Sequence, residues 1–289
     1  MIENKKEFKK IEEFKVIEKK TPASLLPNTL TIFGVCLGLS SIKFAIDLNY
    51  SLAVIAIGFA AILDTLDGRV ARLIKGTSKV GKELDSLTDV ISFGVAPGFV
   101  MYFWTLNEVG QFGWLFVLIY AVCCALRLAR FNLTNINENE NWKINFFEGI
   151  PSPAAGGLVL LPLIFNLSNL NEIFSLNEIV QLLNLNNVFQ TENNKIISSI
   201  IILATSILMV SKIPTYSLKR ISIPRRLGGF LLLGIGVYIS FIIYFPFEIL
   251  FLTGLVYILL IPISYFHYKK LNKKFSNENI EDDEIEDIL

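Results

Sequence analysis

Histidine and cysteine, the residues from which zinc sites are most often built, are scarce in this sequence. Its 289 residues include one histidine and three cysteines. Cys36, Cys123 and Cys124 form neither a C-x-x-C pair nor a cysteine–histidine pattern, and all three lie in apolar stretches, where we expect them to pack. His267 ends the last apolar stretch and is expected to be interfacial. The sequence therefore gives no sign of a zinc site or a histidine-based catalytic centre.

Charged side chains are also few: they make up 18% of the residues, against 53% hydrophobic, and the net charge is zero. A soluble domain has about 25% charged residues. The apolar residues form blocks of about the 20 residues that cross a bilayer, and most lack the polar face of a soluble helix. We predict an all-α integral membrane protein with about eight transmembrane helices, at residues 28–46, 50–68, 90–107, 111–131, 153–169, 196–211, 227–245 and 247–267.

Lysine and arginine are unevenly distributed between these blocks. Twenty-four of the 26 lie before residue 28, in 69–82, 127–148 and 211–226, or after residue 268. With eight spans, all five segments fall on one side, and cytoplasmic loops carry the positive excess. We therefore expect a protein of the cell (inner) membrane with both termini, and the segment between the second and third blocks, in the cytoplasm.

Four aspartates stand where the second and third apolar blocks meet. A helix that continues the second block to about residue 73 would carry five residues on one side: Asp64, Asp67, Gly68, Ala71 and Arg72. A following helix that begins near residue 81 would carry three more: Gly81, Asp85 and Asp89. Two such helices can direct four carboxylates into one pocket.

Clustered carboxylates in a membrane protein call for a compensating charge. Each costs about 2.5–3.5 kcal/mol at a helix centre on insertion scales, and neighbouring carboxylates repel one another. Oxygen ligands suit Mg²⁺, Mn²⁺ or Ca²⁺, and two such ions can clamp the attacking and leaving oxygens of a phosphoryl transfer. The alternative, a set of interfacial charges beside a loop, leaves the joint spacing of eight positions unexplained.

The pattern D-x2-D-G-x2-A-R-x8-G-x3-D-x3-D is met at every position from Asp64 to Asp89. It resembles the signature of the CDP-alcohol phosphotransferases, membrane enzymes that move a substituted phosphate from a CDP-linked lipid to an alcohol and release CMP. The resemblance implies a six-helix core within 28–226. To this we add a charged N-terminal segment over 1–27, either an interfacial amphipathic helix or a solvated tail, a transmembrane hairpin over 227–268, and a charged cytoplasmic tail over 269–289.

The resemblance also implies roles for individual residues. Asp64, Asp67 and Asp85 would hold two Mg²⁺ or Mn²⁺ ions, and Asp89 would be the general base on the acceptor hydroxyl and a further metal contact. The CDP-lipid would be bound by five residues: Asn28, Thr31, Gly68, Arg72 and Ser78. Asn28 and Thr31 could instead be helix-start and packing residues. Family members are commonly homodimers, which small residues in the spans would allow.

Four further stretches resemble the branch of the family whose acceptor is L-serine: LTDVISFGVAPGF (87–99), ALRLARFN (125–132), EGIPSPAAGG (148–157) and MVSKIPTYSLKRISIPRR (209–226). The resemblance implies transfer of a phosphatidyl group from CDP-diacylglycerol to the serine hydroxyl. Arg127 and Arg130 could pair with the serine carboxylate, or they could be positive-inside anchors.

The sequence also allows a different acceptor or a different class of protein. Glycerol 3-phosphate or an inositol compound could be the acceptor, and a metal or lipid transporter is a more distant alternative. The expected partners are CDP-diacylglycerol, L-serine and membrane lipids, and no nucleic acid.

Overall fold

The computed structural model describes residues 25–73, 79–133, 146–170, 193–217 and 228–286. Within these ranges nearly all of the chain is helical. The elements are α1 (Leu25–Ile46), α2 (Tyr50–Leu73), α3 (Lys79–Asp89), a π-helical turn (Val90–Val95), α4 (Ala96–Trp104), a 3-10 turn (Leu106–Val109), α5 (Gln111–Leu133), β1 (Phe146–Glu148), α6 (Ser152–Val159), α7 (Leu161–Leu167), α8 (Asn194–Val210), β2 (Pro214–Tyr216), α9 (Gly228–Tyr244) and α10 (Pro246–Glu286). Residues 1–24 of the predicted N-terminal segment, and Ser78, lie outside the described residues, while residues 25–27 begin α1.

Five helical runs are long and apolar enough to cross a membrane: Pro27–Ile46, Tyr50–Val70, Gly81–Trp104, Gln111–Asn132 and Pro246–Asn272. The predicted all-α membrane fold is therefore confirmed. Two further apolar helices, α8 and α9, have 17 residues each. The predicted span at 153–169 forms two short helices, because Pro162 lies in the first turn of α7 and starts a new helix there. The count of eight spans thus stays a prediction.

The third span begins earlier than the predicted residue 90. Its helix already includes α3, whose charged residues lowered the apolar signal. The π-helical turn joins α3 to α4, and Pro97 lies in the first turn of α4. Proline cannot donate to the carbonyl four residues before it, which is that of Phe93. The fully buried Tyr120 hydroxyl donates to that carbonyl at 2.6 Å, so α5 supplies a hydrogen bond that the proline cannot.

The helix α1 packs closely along the third span. Gly38 leaves room for Ser92, whose hydroxyl donates to the Gly34 carbonyl at 3.1 Å. Small residues four apart let two helix backbones approach in this way. Around this contact the core is built from large buried side chains of the third span, α5 and α7, such as Phe93, Met101 and Leu163.

Replacing Gly38 by alanine is expected to destabilise the fold by about 1–3 kcal/mol, because overpacking forces backbone shifts. The new Cβ would lie 2.6 Å from Ser92 Oγ and 2.9 Å from Ser92 Cα. Gly58→Ala is the matched control, since a Cβ there meets nothing within 4 Å and alanine is the better helix former. Thermal unfolding in detergent should show a lower midpoint for Gly38→Ala alone, and equal midpoints for both variants would contradict the packing argument.

A short two-stranded sheet packs against the last helix. The strands β1 and β2 are antiparallel, with Phe147 opposite Thr215. The hydroxyl of Tyr216 lies 2.9 Å from His267 Nδ1, which connects α10 to this sheet. His267 thus has a structural contact at the end of an apolar run, where an interfacial residue was expected. The helix α9 has no buried side chain.

Candidate active site

Three carboxylates converge near the end of α2 and the beginning of α3. Asp64 and Asp67 share one side of α2, which continues to Leu73 as predicted, and Asp85 reaches them from α3. One ligand oxygen from each lies within 4.8 Å of the others. Asp67 is 4% exposed, so its charge is largely removed from water. These carboxylates could hold a metal ion, whose charge would offset their mutual repulsion.

Asp89 lies beside this group, one turn beyond Asp85 on α3. Its carboxyl is in hydrogen-bonding reach of the Asp64 carboxyl. Its other oxygen, Oδ1, is buried and has no hydrogen-bond partner among the described residues. The structure thus brings all four predicted aspartates together, with three grouped as ligands and the fourth facing them. Their separate roles stay predictions.

Thr31 connects α1 to the carboxylate group. Its hydroxyl lies 2.7 Å from Asp67 Oδ2 and 2.9 Å from the Pro27 carbonyl oxygen, and its single proton can be donated to one of them at a time. The threonine is buried, and Asn28 lies half-buried one turn earlier. Both residues are predicted to line the CDP-lipid site or to be helix-start and packing residues. The hydrogen bond from Thr31 restrains the Asp67 carboxylate.

The predicted nucleotide-binding pair lies on the open side of α2. Gly68 and Arg72 are exposed, and a Cβ added at Gly68 would meet no atom within 4 Å. The Nε of Arg72 donates to the Gly68 carbonyl at 2.9 Å, which leaves the outer guanidinium nitrogens directed away from the helix backbone. A bulky anionic group can therefore approach this turn next to Asp67 and Asp64.

The two predicted acceptor arginines have different environments. Arg127 is 9% exposed, donates from Nη1 to Ser152 Oγ at 2.5 Å, and has a buried Nε without a hydrogen-bond partner in the described part of the chain. Arg130, one turn nearer the helix end, donates to the carbonyls of Val210 at 3.1 Å and Ser211 at 3.3 Å. Arg130 therefore connects α5 to the end of α8, while Arg127 carries a buried charge that interacts electrostatically with Asp89.

Two side chains that support the site were not predicted from the sequence. Ser152, the buried partner of Arg127, opens α6 between two prolines. Asn132 Nδ2 donates to Ser86 Oγ at 3.0 Å and so ties the end of α5 to α3 beside Asp85. A polar residue between prolines at a helix start, and an asparagine at a helix end, are each common for local reasons, so neither position could be assigned from sequence.

The donor set fits a hard divalent cation. The three grouped ligands are carboxylates, and no histidine or cysteine contributes to the group. Carboxylate oxygens with room for water and a substrate phosphate are the environment in which Mg²⁺ and Mn²⁺ are usually held. The open turn at Gly68 adjoins the group and supplies that room.

The chain is similar to known proteins over the residues that form this site. Residues 24–190 match the family described as CDP-alcohol phosphatidyltransferase, which spans the four aspartates and Arg127 and stops before α8. The CDP-diacylglycerol–serine O-phosphatidyltransferase of Mycobacterium leprae is 32% identical over 245 residues, 83% of this chain and 74% of the relative. The protein of the same name from Helicobacter pylori is 41% identical over 145 residues, 50% of this chain and 60% of the relative. The one from Bacillus subtilis is 37% identical over 142 residues, 49% of this chain and 77% of the relative.

Proposed function

Because the chain belongs to the CDP-alcohol phosphatidyltransferase family, we propose that it transfers the phosphatidyl group of CDP-diacylglycerol to the hydroxyl of L-serine and releases CMP. The observation that carries the proposal is a group of three carboxylates on two adjoining helices, with a fourth carboxylate and a buried guanidinium next to it. The names of the similar proteins support serine as the acceptor.

Asp64, Asp67 and Asp85 would hold the metal, Mg²⁺ or Mn²⁺ and in our proposal two ions, with Asp89 as a further contact. When bound, the metal neutralises the diphosphate and stabilises the departing CMP. Thr31 keeps the Asp67 carboxylate in one orientation through the 2.7 Å hydrogen bond. Gly68 and Arg72 receive the CDP group, with Asn28 at the lipid side and Ser78 as a nucleotide contact outside the described residues.

Asp89 takes the proton of the acceptor. Its Oδ1 is buried and without a partner among the described residues, so it is available to an incoming hydroxyl. The serine oxygen forms a bond to the phosphatidyl phosphorus, the bond from that phosphorus to the CMP oxygen breaks, and the hydroxyl proton passes to Asp89. A serine hydroxyl is a weak nucleophile at neutral pH, so such a base is needed.

Arg127 binds the carboxylate of serine. It forms no ion pair with any carboxylate in the described part of the chain, and its protein hydrogen bond is to the neutral hydroxyl of Ser152. A buried guanidinium with so little compensation favours an anionic ligand. Since Arg127 and Asp89 interact electrostatically, a serine held by its carboxylate would present its hydroxyl to the base. Arg130, occupied by two backbone carbonyls, is the weaker candidate.

The site is proposed to open to the cytoplasm. Arg69, Arg72 and Lys82 are exposed near the ends of α2 and α3, where a positive excess is typical of the cytoplasmic side. Both termini would lie on the same side of the inner membrane. A homodimer, which the family resemblance implies, stays a prediction.

The acceptor is tested by CMP release from CDP-diacylglycerol, measured with the purified protein in detergent and Mg²⁺ or Mn²⁺. We expect L-serine to be used at least about 100-fold more efficiently than glycerol 3-phosphate or inositol, because buried polar groups reject an acceptor that leaves them unpaired. Release with another alcohol would keep the transfer chemistry and discard serine. No release with any acceptor from folded protein, together with metal or lipid flux in vesicles, would favour the transporter alternative.

A further inference from the structure

Several buried polar atoms have no hydrogen-bond partner among the described residues, and two of them lie on α10. Within the described residues such atoms occur on Asp89, Arg127, Ser198, Ser217, Tyr257 and Ser264. Asp89 and Arg127 belong to the proposed site, while Tyr257 and Ser264 lie on α10. A buried polar group left without a hydrogen bond costs about 1–3 kcal/mol, so a native structure that keeps several together needs a reason for them.

Tyr257 faces the core from α10. Five residues of this helix pack against the core, at separations of 3, 1, 6 and 4 positions: Phe247, Leu250, Phe251, Tyr257 and Ile261. That spacing defines one side of a helix, and Ser264, seven residues after Tyr257, lies on the same side. The Tyr257 hydroxyl lies beside Thr215 and interacts electrostatically with Arg127. Thr215 Oγ1 donates to the Gly149 carbonyl at 2.7 Å, three residues before Ser152, the hydrogen-bond partner of Arg127, so the last helix brings a phenolic hydroxyl to the neighbourhood of the proposed acceptor site.

Contacts at two levels hold α10 in this position. Near its start, Glu248 Oε1 accepts a hydrogen bond from the Asn169 backbone at 3.1 Å, and the rings of Phe251 and Phe165 are 5.0 Å apart. Further along, His267 is paired with Tyr216 of β2. Tyr257 lies between these anchors, so its hydroxyl is held in a fixed place.

We propose that Tyr257 is a specificity-determining residue of the acceptor site, where its hydroxyl and the Arg127 guanidinium each bind one oxygen of the acceptor carboxylate. The inference rests on the proposed function and extends it to a helix beyond the matched family region, which ends at residue 190. The hairpin that we predicted as an addition to the core is then part of the site.

The charge of the pocket favours a carboxylate over a phosphate. Arg127 supplies one positive charge, and the neighbouring Arg130 is occupied by the carbonyls of Val210 and Ser211 and lies 3.7 Å from Glu148. A single buried cation with a neutral phenolic donor matches a monoanion with two acceptor oxygens. A doubly charged phosphate would retain uncompensated charge there.

The test replaces Tyr257 by phenylalanine, which removes the hydroxyl and keeps the ring. We expect the KM for L-serine to rise about tenfold or more, as for loss of a hydrogen bond to a charged group, and the KM for CDP-diacylglycerol to stay within about twofold. Tyr265→Phe is the matched control, because Tyr265 lies on the same helix with 45% of its surface exposed. It should leave both constants unchanged.

The outcomes separate this inference from the proposed function. An unchanged serine KM in Tyr257→Phe would overturn the role of Tyr257, and so would a loss of kcat with both KM values unchanged. Wild-type protein that uses glycerol 3-phosphate and not serine would refute the proposed acceptor. The same KM comparison, made with the acceptor that is used, would then overturn or support the contact of Tyr257 with the acceptor.

Discussion

Asp89→Asn should lower kcat for CMP release by about 10²–10⁴-fold, the usual contribution of a positioned general base. The amide has the shape of the carboxylate but cannot take a proton from the acceptor. Oδ1 of Asp89 is buried without a hydrogen-bond partner among the described residues, and the neighbouring carboxylates of Asp64, Asp67 and Asp85 are assigned to the metal in our proposal. The KM for CDP-diacylglycerol should change little, because the three grouped ligands are intact.

The control for this variant is Glu83→Gln. Glu83 lies on the same helix, is exposed, and undergoes the same exchange of carboxylate for amide. It should retain wild-type kcat. Thermal unfolding in detergent would verify that both variants are folded. A folded Asp89→Asn protein with kcat within about fivefold of wild type would contradict the general-base assignment, since that loss is below the range expected for such a group.

Asp67→Asn and Thr31→Val should both raise the metal concentration needed for half-maximal activity. Loss of a ligand carboxylate is expected to have the larger effect, and loss of a hydroxyl that orients a ligand is expected to cost about 10–100-fold in metal affinity. Chelation of divalent ions should abolish CMP release by the wild-type protein, and added Mg²⁺ or Mn²⁺ should restore it. Binding of Mn²⁺, followed by electron paramagnetic resonance, measures the affinity apart from turnover.

Thr65→Val is the matched control for Thr31→Val. Thr65 lies on α2 between Asp64 and Asp67, but its side chain is exposed and its hydroxyl donates to the Ala61 carbonyl at 3.0 Å. Its replacement should leave Mn²⁺ binding unchanged. If Thr31→Val bound Mn²⁺ as the wild type does while Asp67→Asn did not, the threonine would have no orienting role. If neither variant differed from wild type, the three carboxylates would not be a metal site.

Local patterns were sufficient to predict the aspartate pocket. The spacing of Asp64 and Asp67 required a helix that continues beyond the apolar block, and α2 indeed extends to Leu73. The spacing of four between Asp85 and Asp89 likewise places both on one side of α3. These relations depend only on helix geometry, which the sequence determines over a few turns.

Long-range relations were harder to predict. Arg127 and Arg130 have the same chemistry and lie three residues apart, yet one is buried at the site and the other binds carbonyls of α8. Their difference depends on Ser152, which binds Arg127, and on the end of α8, which lies about 80 residues from Arg130 in sequence. Tyr257 is 130 residues from Arg127, and a tyrosine in an apolar helix has no local feature that separates a pocket residue from an aromatic facing lipid.

The π-helical turn between Asp89 and α4 changes the phase of the third span. A turn closed by an i→i+5 hydrogen bond contains one residue more than an α-helical turn, so the residues after it are rotated relative to those before it. The half that carries Asp85 and Asp89 can therefore face the pocket while the half with Val100 and Met101, both fully buried, faces the core. A straight α-helix would have to carry both functions on one stripe. Deletion of a single residue from 90–95 would remove this rotation. The aspartates could then not face the pocket while Val100 and Met101 face the core.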